Sequence, residues 1–80
     1  MTIKQDALRQ AWGLSNSIDE IPQDAKQQVV MYLAYLWGTA MNYSEVTVPQ
    51  KLTKDRIRSF CIEAIYDLSF NQPLSFAEAA

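Results

Sequence analysis

Apolar positions along this chain recur at helical spacing in three stretches, separated by polar or proline-bearing segments. Ile3, Ala7, Ala11 and Leu14 share one face, and Leu8 with Trp12 widens that stripe as an i, i+4 pair. The spacing predicts a first helix over 3–12. Gly13 stands where a left-handed C′ residue belongs, with Leu14 behind it placed to fold back on Leu8. Ser17-Ile18-Asp19-Glu20 matches a capping box, but Pro22 follows too soon for a long helix, so a single turn or loop is expected.

Pro22 suits the first turn of a second helix over 22–42, with Asp24 and Gln27 available to cap its amides. Val29 to Trp37 reads VVMYLAYLW, apolar on every side. A helix of that kind is expected to be covered on nearly all faces, which makes it the central element. The run is also far short of the ~20 residues needed to cross a bilayer, so a membrane is not an expected partner. Gly38 weakens a helix relative to alanine and is expected to mark close packing or a bend.

Residues 43–52 change character: Glu45-Val-Thr-Val-Pro49 mixes β-branched residues with proline, and a strand there would have no visible partner. A loop is expected. The third helix, over 54–70, has Thr53 as N-cap, Asp55 in the first turn and Leu52 placed to staple onto Ile57. Its inner face is Ile57, Phe60, Cys61, Ala64, Ile65 and Leu68, expected to pack on the second helix. A Ser75-x-x-Glu78 capping pattern near the C-terminus suggests a short turn or tail. The pattern as a whole predicts an all-α fold, a small bundle of three main helices.

Composition then says how such a bundle holds together. Eighty residues make one domain, and a chain of this size buries only about 60–65% of its unfolded surface. Small domains make up the difference with disulfides, a metal or a second subunit. Cys61 is the sole cysteine and there is no histidine, which excludes an internal disulfide and leaves no set of zinc ligands. Association remains, and a chain 49% hydrophobic, with two Trp, four Tyr and three Phe, fits a homodimer. The N-terminal segment leads into an amphipathic stretch and not an apolar signal region, and the single thiol suits a reducing compartment; a cytoplasmic location is expected.

Catalytic chemistry finds no purchase. Histidine is absent, glycines are too isolated for a phosphate loop, and no serine or threonine has a visible base partner. Glu63 and Asp67 form an i, i+4 carboxylate pair, read as part of a solvated face. Cys61 is read as a buried, inert thiol. The expectation is a non-enzyme with no cofactor and no metal.

Two surfaces call for an explanation. Ile62, Tyr66 and Phe70 recur at i, i+4 and i+8 on the back of the third helix, a second apolar stripe that a three-helix domain does not need. Lys51, Lys54, Arg56 and Arg58 gather at its start, giving residues 51–58 a net charge of +3 within a chain of net charge −2. Cations there oppose the helix dipole, so stability alone does not select them. The reading that follows is a protein–protein interaction module, such as an adaptor, inhibitor or small regulatory subunit. Ile62, Tyr66 and Phe70 would anchor the partner, and Lys54, Arg56 and Arg58 would steer an acidic one. The alternative is a nucleic-acid-binding regulator using the basic start of the third helix, against which the overall acidity counts. Apart from these, the leucine and phenylalanine at 74 and 76 could fold over the stripe.

Overall fold

Thr2 closes the amides at the start of the first helix, α1 (Ile3–Asn16). Gln5 N–H donates to Thr2 Oγ1 at 3.1 Å, and Thr2 N–H donates to Gln5 Oε1 at 3.0 Å, a reciprocal capping box. The computed structural model describes residues 2–70 and adds α2 (Gln23–Met41) and α3 (Lys54–Phe70). The three helices pack against one another as a small all-α bundle, with no strand among the described residues. The Ser75–Glu78 pattern lies outside those residues.

Two expectations about α1 are corrected. The helix does not stop at residue 12: it runs one turn past Gly13, whose φ is not positive, and ends at Ser17. There the Ser17 N–H and hydroxyl both donate to Gly13 O, at 3.0 and 2.6 Å. Leu14 therefore remains a helical core residue, 2% exposed, and does not fold back on Leu8. Burial of Leu14 and of Ile18 just beyond it rewards the extra turn more than glycine's entropy penalises it.

Another correction concerns which helix is central. α1 lies close against both α2 and α3, whereas α2 and α3 meet less closely. Side-chain size explains this, since interaxial distance follows the residues at the contact. Ala7 and Ala11 of α1 and Ala64 and Cys61 of α3 are fully buried and small. Between α2 and α3 stand large rings instead: Trp37 and Phe60 meet edge to face, centroids 5.4 Å apart.

α2 itself is not covered all round. Val30, Leu33, Ala34, Leu36, Trp37 and Met41 enter the core, yet Met31, Tyr32 and Tyr35 are 52–64% exposed. Pro22 serves as its N-cap without a side-chain hydrogen bond, so neither Asp24 nor Gln27 caps it. Asn42, in the left-handed conformation at φ 61°, ends it, and Tyr43 N–H reaches back to Gly38 O at 2.9 Å. That reversal lays the following segment over the helix, where a Cβ on Gly38 would meet Val46 Cγ2 at 3.5 Å, an ordinary van der Waals contact, so no close approach requires glycine there. Residues 43–53 form no regular element, as expected, and Val46, Val48 and Leu52 pack on the core. α3 begins where its cap predicted, with Arg56 N–H donating to Thr53 Oγ1 at 3.3 Å.

Candidate protein-docking surface

The back stripe of α3 does not stand alone. Ile62, Tyr66 and Phe70 form one bank of a groove of about 300 Å³, with Ile65 and Ser69 in its lining. Trp12 and Ser15 of α1 supply the other bank. The four large side chains Trp12, Ile62, Tyr66 and Phe70 are each 50–59% exposed. Helical spacing places the three α3 residues in line, and the Tyr66 and Phe70 rings touch, centroids 4.6 Å apart. Trp12 arrives because the close α1–α3 approach brings the flank of α1 level with that line. Sequence reasoning placed Trp12 at the edge of the α1 core stripe; only the packing of two helices shows that it lines the same groove as Tyr66.

Chemically the groove is a mainly apolar trough whose polar lining groups include the hydroxyls of Ser15, Tyr66 and Ser69. It can bind apolar or aromatic side chains by removing area from water, roughly 25 cal/mol per Å².

The basic residues have a different setting from the one their spacing suggested. Lys54 Nζ lies 2.6 Å from Asp19 Oδ1, across the start of α3 to the loop after α1. Hydrogen bonding and charge from Lys54 hold the Asp19 carboxyl below the usual carboxylate range. Arg58 pairs with Asp55 at 3.7 Å. Arg56 lines a separate hollow of about 460 Å³ that also contains Asp55 and Glu63. Asp19 is remote in sequence, so counting charges along residues 51–58 could not reveal it. Lys54, Arg56 and Arg58 are thus not brought into the apolar groove; they stand beside acids of the same chain.

Asp67 is a further correction. Read as half of a solvated carboxylate pair with Glu63, it is instead fully buried, while Glu63 is exposed. Trp37 Nε1 donates to Asp67 Oδ2 at 2.8 Å and the Tyr43 hydroxyl donates to the same oxygen at 2.7 Å. Oδ1 has no hydrogen-bond partner among the described residues. Burial, then the Asp67 bond, push the Tyr43 phenol up to about 12. A signal was present: Asp67 lies i+7 from Phe60 and i+3 from Ala64, on the flank of the inner face.

Cys61 is buried, and burial raises its thiol to about 11, which leaves it protonated and unreactive at neutral pH. Among the described residues no group of three His, Cys, Asp or Glu could hold a metal ion, and no helix is long and apolar enough to cross a membrane. No protein-family model, curated protein or solved structure matches this chain.

Proposed function

We propose that this protein is a non-catalytic, cytoplasmic interaction module, homodimeric, that docks on another protein through the α1/α3 groove. The observation that supports this reading is the convergence of Trp12, Ile62, Tyr66 and Phe70, all half-exposed, from two helices onto one trough. Aromatic residues carry much of the energy of interfaces, and contiguous apolar surface of this kind marks partner sites on soluble proteins. The fitting occupant presents apolar or aromatic anchors, as an amphipathic helix does. Ion pairing of Lys54 and Arg58 with Asp19 and Asp55 reduces the free positive charge at the start of α3, so the groove takes precedence over charge steering in this account.

The test is a Tyr66→Ala/Phe70→Ala chain compared with the natural one. Both substitutions remove exposed atoms, so helical circular dichroism should be retained while binding of the purified partner is lost. Binding that survives unchanged would overturn the assignment.

A further inference from the structure

α3 delivers the chain directly to the groove it borders. Phe70, the last residue of α3, lines the trough, and residues 71–80 continue from it. Asn71-Gln72-Pro73 carries a helix-stop signal: asparagine tolerates the left-handed conformation that ends a helix, as Asn42 does after α2, and proline cannot continue one. Leu74 and Phe76 then stand two apart, the spacing that puts both side chains on one side of an extended chain. Glu78 is the only charged residue of the segment.

We propose that residues 71–80 turn back along the α1/α3 groove, antiparallel to α3, and occupy it in the free chain. Distances set the register. Two residues of extended chain advance about 6.6 Å, and one i, i+4 step along a helix advances about 6 Å. Leu74 therefore falls over Phe70 and Tyr66, Phe76 falls between Tyr66 and Ile62 beside Trp12, and Glu78 comes level with Arg58, one turn before Ile62. Phe70 to Ile62 is about 12 Å along the helix, well within reach of this length of chain.

Charge agrees with that register. The one acid of the segment meets Arg58, whose own ion pair with Asp55 spans 3.7 Å with the Asp55 side chain almost wholly exposed, a weak hold. Tethering favours this occupant as well, since a short connection presents it at about millimolar effective concentration. A protein docking in the groove has to displace the segment, so its affinity is lowered by the fraction of chains whose groove is open. The inference rests on the function proposed above for the site alone, and not for the outside partner.

Proton NMR of the natural full chain tests the placement. Nuclear Overhauser cross-peaks should join the Phe76 ring to the Ile62 methyls and to the Trp12 indole. Acrylamide quenching of tryptophan fluorescence tests occupancy, because Trp37 is buried and Trp12 supplies the quenchable emission. With at least ~two-thirds of grooves filled, Leu74→Asp/Phe76→Asp should raise quenching at least ~3-fold while helical circular dichroism is unchanged. A synthetic peptide of residues 71–80, added to that variant at about 1–10 mM, should restore the shielding. Absent cross-peaks, unchanged quenching, or a peptide that restores nothing overturns the inference. Partner binding enters none of these measurements, so the docking role of the groove stands or falls separately, on the Tyr66→Ala/Phe70→Ala comparison.

Discussion

Trp37 and Asp67, thirty residues apart, are joined by a 2.8 Å hydrogen bond from the indole to a carboxylate oxygen that has no exposure to solvent. The bond ties α2 to α3 at the point where large rings hold the two helices apart. Tyr43 donates to the same oxygen and so fastens the segment after α2 to the same anchor. Buried polar groups of this kind are costly when unpaired. Asp67→Ala would leave the buried Trp37 donor without its acceptor and remove the Tyr43 bond to the same oxygen, and should destabilise the fold by about 2–4 kcal/mol. That is a large share of the roughly 4–12 kcal/mol expected for 80 residues. Urea unfolding followed by circular dichroism measures it; a midpoint unchanged by the substitution would show that the bond contributes nothing.

The same anchor makes Tyr43 a reporter. Its phenol ionises at about 12 in the fold, against an ordinary value of 10.0. Because the folded chain keeps this proton longer than the unfolded chain, the contribution to stability is complete below pH 10 and declines as pH rises towards 12. Ultraviolet titration of the natural chain should show a late tyrosinate step that is absent in Tyr43→Phe. Identical late titration in both chains would contradict the assignment.

Gly13 separates two descriptions of α1. If it were a left-handed C′ residue, alanine would be strained there; as a helical residue with nothing within 4 Å of an added Cβ, it accepts alanine freely. Gly13→Ala should therefore stabilise the fold by about 0.5–1 kcal/mol, read as a higher unfolding midpoint. A lower midpoint would restore the shorter helix.

These three sites also show where the sequence is legible. Apolar periodicity located all three helices, and a side-chain cap at Thr53 after a broken pattern at 43–52 set the start of α3. Local rules failed at Gly13, where burial of Leu14 and Ile18 outweighed a helix-ending residue. They failed again for Asp67, since a carboxylate on the flank of a helix is solvated or buried according to what packs beside it, here Trp37 and Tyr43. The back stripe of α3 was visible as Ile62, Tyr66 and Phe70, but its opposite bank was not. Trp12 joins it through helix packing, and Asp19 reaches Lys54 the same way.

The groove reading makes one demand that the α3 stripe alone does not, namely that a residue of α1 share in binding. Trp12→Ala, assayed against the purified partner beside Tyr66→Ala, tests this most directly. Trp12 is over half-exposed, so its removal should leave the helical signal intact. The account predicts that each substitution weakens binding by at least ~30-fold, the effect of losing one aromatic anchor. A Trp12→Ala chain that binds as tightly as the natural one would contradict the groove as the docking site.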